Sequence, residues 1–314
     1  MPRNFTAIII NYNGIDFLID AVTSLVDANL DFERIIVIDN GSTDKSISSL
    51  KIKYPDVVII SIGCNAGFSV AVNKGLKLVG TEFVLLFNND ALLDKRALIE
   101  FENVFNERPQ AAILGAKLLN TDNTLQNSIA KFPNIFQEII KTNKLRIPDL
   151  NAITKVDSVI GACLAIRMSA LKKIGVLDEE FFFFLEETEL CWRANRMGYE
   201  VYYTPKAVAT HAQGGTANKF KSLARIEFHR SKLTYYKKTG GRILWLIVLV
   251  VLLIKSLVNF LSNALVFLLS LGTSQIYRSK TSVYFKILLW HLLLRPKGWG
   301  LPNKCQDGKT FKEI

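Results

Sequence analysis

Apolar residues in the first ninety positions occur in short uninterrupted runs, at positions 6–10, 35–38, 57–60 and 84–87. Each run ends in a polar turn, which leads into a segment whose apolar residues recur at helical spacing. Uncharged runs of this length are typical of strands buried on both faces, which belong to parallel sheets covered by helices on either side. The pattern therefore predicts an α/β fold built from repeated strand–loop–helix units.

Helical spacing fills the intervals between these strands. Residues 16–25 carry their apolar residues on one face, 45–53 follows the second strand, and 96–108 is amphipathic and stops before a proline. The first apolar run is too short for the hydrophobic segment of a secretory signal, so we expect it to be a buried strand. Residues 120–155 mix turn formers with isolated apolar residues, and loops are expected to dominate there.

The fourth strand ends in two amides and a carboxylate, Asn88-Asn89-Asp90. Open α/β sheets bind ligands at the carboxyl ends of their strands, so Asp90 is expected where a ligand would lie. A carboxylate is a hard oxygen ligand suited to Mg²⁺ or Mn²⁺, whose coordination shell the phosphates of a nucleotide would complete. The simpler alternative is a turn at the two asparagines, with Asp90 capping the next helix.

Polar residues also follow the second and third strands. Asp39 stands directly after a strand, where its oxygens can accept hydrogen bonds from a nucleobase N–H or a ribose hydroxyl. Asp44 or Ser42 is better suited to capping the helix that follows. Asn65 is a candidate N-cap whose helix would present free N–H groups to an anion. Gly67 begins a series of small residues spaced by four, which share one face of a helix. That face either admits a ligand or only allows the helix to pack tightly against the sheet.

An acidic cluster follows four phenylalanines and a leucine. Glu186, Glu187 and Glu189 lie within four positions of one another. Carboxylates beside large apolar residues are costly to bury unless they line a cleft, so we take these glutamates as candidate catalytic groups. A salt-bridged helix end exposed to solvent is the usual alternative for such a cluster.

Two further positions are candidate site residues. Gly161 lies in the apolar stretch at 157–167, which we expect to be one strand. It offers a surface without a side chain on which a sugar could lie, although close strand packing explains it equally well. His211 follows an apolar run and precedes the segment Gly214-Gly215-Thr216, and it could supply a second metal ligand beside Asp90. A lone histidine can equally have a surface or capping role.

Composition narrows the class of partner. The 314 residues are 49% hydrophobic and carry a formal net charge of +11, which favours contact with an anionic membrane surface. Nucleic-acid binding would need basic residues interleaved with exposed aromatic residues or a groove-reading motif, so we expect no nucleic-acid partner.

The four cysteines, Cys64, Cys163, Cys191 and Cys305, form no C-x-x-C pair and have no spacing typical of a metal site. This favours reduced thiols in a cytoplasmic compartment over a disulfide framework, with Cys163 and Cys191 as small core residues.

The last part of the chain combines basic and apolar segments. Residues 225–242 are rich in Arg and Lys, 243–271 are apolar with Lys255 near the middle, and a second apolar run at 287–294 has basic residues on both sides. One helix over 243–271 would exceed the roughly 20 residues that span a bilayer, but positive charge on both sides conflicts with a single crossing. We expect two shallow helices or a re-entrant hairpin on a membrane surface, with tryptophans at the headgroup level. A true span and an oligomer interface are the alternatives.

Four of the polar motifs follow one another with a characteristic spacing. They are Ile8-Ile9-Ile10-Asn11-Tyr12-Asn13, Val37-Ile38-Asp39-Asn40-Gly41-Ser42-Thr43-Asp44, Asn65-Ala66-Gly67-Phe68 and Asn88-Asn89-Asp90. Over about residues 5–220 the chain resembles the family 2 glycosyltransferases, in particular the rhamnosyltransferase-like branch of cell-wall and O-antigen synthesis. The resemblance implies a GT-A fold with a Rossmann-like nucleotide-binding half and an acceptor-binding half around a mixed sheet. It also implies a nucleotide-diphosphate sugar donor, a divalent metal and inversion at the anomeric carbon.

The resemblance also assigns roles to individual residues. Glu187 matches the second member of the family's acid pair, which is the catalytic base, and Glu186 is its neighbour. This chain has Glu where the family usually has Asp, so Glu189 stays a competitor for the base. It also has one carboxylate where many relatives have D-x-D, so the metal would be held loosely, mainly through the donor phosphates. The metal ligands would be Asp90 and His211, and the donor-binding residues would be Asn11, Asn13, Asp39, Asn65, Gly67, Asn89, Asp90 and Gly161.

We therefore expect a GT-A glycosyltransferase domain at residues 1–224 and a basic, apolar helical region at 225–314. The second region would associate with the cytoplasmic face of a bacterial inner membrane, as a peripheral or monotopic protein. The expected reaction moves a sugar from a dTDP- or UDP-sugar to a polyprenyl-diphosphate-linked glycan in cell-surface polysaccharide synthesis, with rhamnose the leading candidate on resemblance alone. The alternative is a non-catalytic protein of the same fold that binds nucleotide sugars or acts as a scaffold at the membrane.

Overall fold

The structure is a computed structural model that describes residues 4–139, 151–213, 221–302 and 304–305. A mixed sheet lies at its centre with helices on both faces. The strands are β1 (Phe5–Asn11), β2 (Ile35–Asp39), β3 (Val58–Ser61), β4 (Phe83–Asn88), β5 (Ala91–Leu93), β6 (Ala111–Leu119), β7 (Ile129–Ala130), β8 (Thr154–Lys155), β9 (Ser158–Val159), β10 (Cys163–Arg167) and β11 (Glu200–His211). The helices are α1 (Leu18–Asp27), α2 (Ser46–Lys53), α3 (Phe68–Leu76), α4 (Ala97–Glu107), α5 (Ile135–Ile139), α6 (Met168–Ile174), α7 (Glu186–Arg196), α8 (Lys221–Leu269) and α9 (Gln275–Leu292).

The main sheet has the strand order β3-β2-β1-β4-β10-β6-β11-β5, and β8 also pairs with β11. Its first four strands are parallel, whereas β10 runs antiparallel to both β4 and β6. Asn11 of β1 is in register with Asp39 of β2, and Ile10 is in register with Asn88 of β4. The polar turns that follow these strands therefore lie along one edge of the sheet. The expected α/β fold with a mixed sheet is confirmed.

The core consists of two apolar layers, one on each face of the sheet. Along β1, Phe5 and Ile9 pack in the layer that contains Leu18 of α1, whereas Ile8 packs in the layer that contains Ala71 of α3. Both faces of a central strand are thus covered, which explains why its apolar run is uninterrupted. The free thiols of Cys163 and Cys191 are buried in these layers, as expected from the sequence.

Two local expectations were wrong. The stretch 157–167 is not one strand, because a turn at 160–162 separates β9 from β10. Asn65 is not the N-cap of α3, because the helix begins at Phe68 with Gly67 as its cap. Gly67 has a φ of +90°, and a Cβ there would lie 2.8 Å from the carbonyl oxygen of Phe182, so the position needs glycine.

The C-terminal helices pack against each other as a hairpin, and its expected place on a membrane surface stays a prediction. Helix α8 is kinked at Gly241, which has a φ of 74°. Helix α9 contacts α8 on both sides of this kink, with His291 beside His229 before it and Phe285 beside Phe260 after it. The part of α8 after the kink is roughly 40 Å long at about 1.5 Å per residue. Among the described residues, one helix is long and apolar enough by length and composition to cross a membrane, Ser222–Leu269.

After α9 the chain returns to the sheet. Cys305 forms a disulfide with Cys64, which lies in the loop after β3. The expectation that all four cysteines are reduced is therefore wrong for this pair. The two cysteines are 241 residues apart, and spacing alone gives no indication that residues so distant in sequence are neighbours in the fold.

Candidate active site

A cavity of about 520 Å³ lies where the polar turns after β2, β3 and β4 meet. Its wall also includes the turn between β9 and β10, the first turn of α7 and the end of β11. Among the candidate catalytic, donor-binding and metal residues predicted from the sequence, those that line the cavity are Asn65, Gly67, Asn89, Asp90, Gly161, Glu186, Glu187 and His211. Elements far apart in the chain thus contribute to one hollow.

Asp90 and His211 form a close pair in this cavity, with Nε2 of His211 3.2 Å from Oδ1 of Asp90. The sheet brings them together: β11 pairs antiparallel with β5, which places His211 opposite Ala91, the residue after Asp90. The segment Gly214-Gly215-Thr216 lies outside the described residues. Both members of the pair are largely buried, so their mutual orientation is fixed by the surrounding structure.

Gln126 fixes the orientation of His211. Its amide nitrogen donates to the His211 carbonyl oxygen at 3.0 Å and to Asn120 Oδ1 at 2.9 Å. Its amide oxygen therefore faces Nδ1 of His211, 2.8 Å away, and accepts the hydrogen bond from that nitrogen. In the neutral imidazole the proton is then on Nδ1, and Nε2, which faces Asp90, carries the lone pair. Asn88 Nδ2 donates to Nε2 at 3.3 Å.

The acidic cluster divides between two environments. Glu186 and Glu187 begin α7 and line the cavity. The two residues before them, Phe184 and Leu185, have φ values of 75° and 67°, a left-handed conformation that is costly for bulky side chains. This strained turn directs the first carboxylates of the helix into the hollow.

Glu189 points elsewhere. Its two carboxylate oxygens accept hydrogen bonds from Nε of Arg193 at 2.8 and 2.9 Å. The same guanidinium donates to the carbonyl oxygens of Ile174 and Val176, each at 2.8 Å. Glu189 is outside the cavity lining formed by the described residues, and its contacts are those of a group that joins α7 to the end of α6.

The pKa values of the cavity carboxyls are raised, chiefly because burial disfavours their charged forms. The pKa of Glu186 is raised well above its ordinary value of 4.5, and the neighbouring charge of Glu187 adds to the effect. For Glu187, backbone N–H groups that include that of Gly161 donate to the carboxylate and oppose the rise in its pKa. Oε2 of Glu186 has no hydrogen-bond partner among the described residues. The contacts of the described residues therefore favour the charged form more at Glu187 than at Glu186.

Backbone and amide groups dominate the opposite wall of the cavity. Asn40 Nδ2 donates to Asn65 Oδ1 at 3.1 Å and to the Gly67 carbonyl oxygen at 3.3 Å. The Asn65 amide oxygen also accepts from the Gly67 N–H at 3.2 Å. Gly161 is held near β4, because the next residue, Ala162, accepts a hydrogen bond from the Asn88 N–H. These groups form a polar surface with few protruding side chains.

Three of the predicted donor-binding residues lie behind the lining that the described residues form. Asn11 donates to Ser46 Oγ at 2.9 Å and accepts from Asn89 Nδ2 at 3.0 Å. Asn13 accepts from the Thr43 N–H at 2.7 Å. Asp39 accepts from the Ser42 N–H and from Ser61 Oγ, each at 3.1 Å. These hydrogen bonds join them to the loops that carry the cavity wall, and their role in donor binding stays a prediction.

A family model described as "Glycosyl transferase family 2" matches residues 6–175, which is more than half of the chain. The chain belongs to glycosyl transferase family 2. The matched range carries Asp90, the Asn40 and Asn65 turns and Gly161, whereas the acidic pair and His211 follow it.

Curated relatives of this family 2 member are distant. It is 23% identical over 221 residues to the N-acetylglucosaminyl-diphospho-decaprenol L-rhamnosyltransferase of Mycobacterium tuberculosis, covering 63% of this chain and 72% of the relative. It is 24% identical over 245 residues to the dTDP-rhamnosyl transferase RfbF of Shigella flexneri, covering 76% and 78%. The predicted resemblance to rhamnosyltransferases is confirmed at this level.

A solved structure with a similar fold supports the architecture. The mannosyltransferase PcManGT of Pyrobaculum calidifontis, described in complex with GDP-Man and Mn²⁺, superposes with a TM-score of 0.51 at 15% identity. The superposition covers 94% of this chain and 88% of the other. At this identity the likeness concerns the fold, and it agrees with the GT-A architecture expected from the sequence.

Asp90 and His211 in the cavity fit a divalent cation. A carboxylate oxygen and an oriented imidazole nitrogen 3.2 Å apart can bind one ion together, and imidazole favours Mn²⁺ over Mg²⁺, which prefers oxygen ligands. In the part of the chain that the structure describes, no group of three His, Cys, Asp or Glu side chains shares a site. The pair would thus leave most coordination positions to phosphate oxygens and water.

Sequence reasoning missed several lining residues, namely Asn40, Gln126, Phe182, Phe183, Phe184 and Leu301. Asn40 could have been found, since it is the neighbour of Asp39 in the same turn. Gln126 lies in a stretch with no recognisable pattern, and Leu301 follows the helical hairpin. Only the fold brings these two residues to the cavity.

Proposed function

We propose that this protein is an inverting glycosyltransferase that moves a sugar, with rhamnose as the first candidate, from a nucleotide-diphosphate donor to a lipid-linked glycan. The observation that carries the proposal is that Asp90, His211 and Glu187 line the same cavity. The names of the relatives support the choice of substrates, because one includes a diphospho-decaprenol acceptor and another a dTDP-rhamnosyl donor.

Donor binding is assigned to the wall formed by the strand ends. The amide groups of Asn40 and Asn65 and the exposed backbone at Gly67 suit the nucleotide, and Gly161 leaves space for the sugar ring. Asp90 and His211 would hold Mn²⁺ or Mg²⁺ beside the diphosphate. When bound, such an ion neutralises the negative charge that develops on the departing nucleoside diphosphate.

Glu187 is the proposed general base. Its carboxylate removes the proton of an acceptor hydroxyl as that oxygen attacks the anomeric carbon from the face opposite the diphosphate, which inverts the configuration. The N–H donors around Glu187 favour its charged form. The raised pKa of Glu187 makes it a stronger base than an exposed glutamate.

The acceptor is proposed to come from a membrane. The part of α8 after Gly241 and helix α9 expose many large apolar side chains, and basic residues such as Arg242, Arg278 and Lys286 accompany them. Such a combination suits anionic lipid surfaces. We accordingly propose that residues 1–224 are the transferase domain and that residues 225–314 associate with the cytoplasmic face of the membrane.

A direct assay tests the proposal. Purified protein is incubated with Mn²⁺, a synthetic polyprenyl-diphosphate-linked N-acetylglucosamine and, in parallel, dTDP-rhamnose or UDP-sugars, and the product is examined by mass spectrometry and NMR. The expected product carries one added sugar with inverted anomeric configuration. Binding of nucleotide sugars without transfer to any lipid-linked acceptor would instead favour the non-catalytic alternative.

A further inference from the structure

The chain that follows α9 reaches the cavity described above. We define the return segment as residues 295–302 together with Lys304 and Cys305. Its Leu301 lines the cavity and is only 4% exposed. We propose that the return segment is a wall of the nucleotide-sugar site and that the Cys64–Cys305 disulfide keeps this wall in place. The inference rests on the proposed function of the cavity as a donor site.

One end of the return segment is joined to a residue of the donor wall. The Cys305 N–H donates to the Asn65 carbonyl oxygen at 3.0 Å, and Asn65 Nδ2 donates to the Pro302 carbonyl oxygen at 3.4 Å. The amide oxygen of the same Asn65 accepts from Asn40 Nδ2 and from the Gly67 N–H. Asn65 therefore connects the return segment to two other lining residues, and a displacement of the segment removes partners from the donor wall itself.

The middle of the segment is anchored to Glu227 of α8, which is fully buried. One carboxylate oxygen accepts from the Leu301 N–H at 3.1 Å and pairs with Lys304, and the other pairs with Arg230 at 2.5 Å. Arg230 also donates to the Trp299 carbonyl oxygen at 2.6 Å. A buried carboxylate with several charge-assisted partners holds a defined geometry, so Leu301 is positioned by a rigid anchor.

A third contact reaches the aromatic side of the cavity. Nζ of Lys304 lies 4.3 Å from the centroid of the Phe182 ring, a cation–π contact with another lining residue. The Phe182 carbonyl oxygen accepts a hydrogen bond from the N–H of Phe68, the first residue of α3. The return segment thus touches both walls that flank the donor side, and its position defines the width of the hollow there.

The disulfide is the only covalent tie between the return segment and the donor wall among the described residues. Transfer of two electrons and two protons from a dithiol reductant converts it into two thiols and leaves the weaker contacts to hold the segment. Oxidation by a small disulfide reverses the step, returning two electrons and two protons to that oxidant. Reduction of this bond would therefore loosen the wall and lower the affinity for the donor.

The test compares nucleotide binding by oxidised and reduced protein. Titration calorimetry with dTDP and with UDP, each in the presence of Mn²⁺, is performed on the full chain before and after treatment with dithiothreitol, and alkylation followed by mass spectrometry reports the state of Cys64 and Cys305. Reduction is expected to raise the Kd by about five- to tenfold, the effect of losing part of one apolar wall. The double variant C64S/C305S should bind with the weaker Kd and show no response to the reductant.

A second variant tests the wall without the cysteines. Leu301→Ala retains the disulfide and should weaken nucleotide binding by about three- to tenfold in the oxidised form. Equal Kd values for the oxidised, reduced and Leu301→Ala proteins would overturn this inference and leave the proposed donor site intact. Absence of nucleotide binding by every form, folded as judged by circular dichroism, would overturn the donor site and the inference together.

Discussion

Nε2 of His211 lies 3.2 Å from Oδ1 of Asp90, and the two residues reach this distance because β11 is paired with the strand that follows Asp90. If the pair binds a divalent ion with the donor phosphates, Asp90→Ala should abolish the metal-dependent part of nucleotide binding, and His211→Ala should weaken it. Calorimetry with dTDP or UDP in Mn²⁺, repeated in excess EDTA, measures the difference. Equal affinity with and without the chelator would contradict the metal role.

Gln126 tests the metal site through His211, because both polar groups of its side-chain amide hydrogen-bond to that residue. Gln126→Leu removes the acceptor for Nδ1 of His211, so the ring loses its preferred tautomer and orientation. Loss of such an orienting partner typically costs about 10–100-fold in metal affinity. The Mn²⁺ concentration that gives half-maximal nucleotide binding should rise accordingly. Asn120→Ala, which removes a contact of Gln126 but not the one to His211, is the matched control with a smaller expected effect.

Glu187 and Glu189 can be separated by paired variants. Glu187→Gln should lower the rate of transfer by about 10²–10⁴-fold while nucleotide binding persists, since only the proton acceptor is lost. Glu189→Gln should retain turnover but lower the stability by about 1–3 kcal/mol, because a buried partner of Arg193 loses its charge. Initial rates and thermal melts of both proteins distinguish the two outcomes. A reversal of the two phenotypes would assign the base to Glu189.

Glu186 should make the stability of the protein depend on pH. A carboxyl whose pKa is raised by folding binds its proton more tightly in the folded state, so stability is lost as the pH rises above the ordinary value of 4.5. Glu186→Gln removes this dependence. The Tm of the variant should therefore rise relative to that of the wild type as the pH increases, by roughly 2–4 °C for each kcal/mol of difference in the free energy of unfolding. A Tm difference between the variant and the wild type that stays constant from about pH 4 to about pH 8 would argue against the raised pKa of Glu186.

The exposed apolar face of the hairpin predicts membrane binding. Leu257, Leu261 and Leu265 are 42%, 55% and 57% exposed and lie along one side of α8. Replacing all three by Gln should weaken binding to phosphatidylglycerol vesicles by at least about tenfold and leave nucleotide affinity unchanged. Ile52→Gln, at an 85% exposed apolar position of α2, is the matched control and should bind vesicles like the wild type. Sedimentation with vesicles measures both.

The sequence predicted the strands and the polar turns well because each depends on a local pattern. The uncharged run at β4 and the abrupt change at Asn88 are visible without any tertiary information, and parallel strands bring such turns to one edge. His211 and Glu187 could be linked to the site by resemblance to family 2, but their position beside the turn depends on pairing in the second half of the sheet. Local periodicity contains no information on that pairing.

Other features depend on contacts that no local pattern encodes. Asn11 and Asn13 look like ligand-binding amides in the sequence, yet they hydrogen-bond to loop groups such as Ser46 and Thr43, because an amide pairs with whatever donor or acceptor the fold brings near it. Cys64 and Cys305 were expected to be reduced thiols, since a pairing over 241 residues requires knowledge of where the hairpin returns. Gly67 acts as the helix cap because Phe182 leaves no space for a side chain.

The hairpin follows the last strand of the sheet, β11, and is joined to the loop after β3 by the Cys64–Cys305 disulfide. A segment tethered at one end can pivot freely, whereas one fastened at two separate points keeps a single axis of rotation. If α8 and α9 enter a lipid layer, the tilt they adopt there will be imposed on the catalytic half of the molecule. The composition and thickness of the bilayer would then set the height and inclination at which the cavity faces an incoming lipid-linked chain.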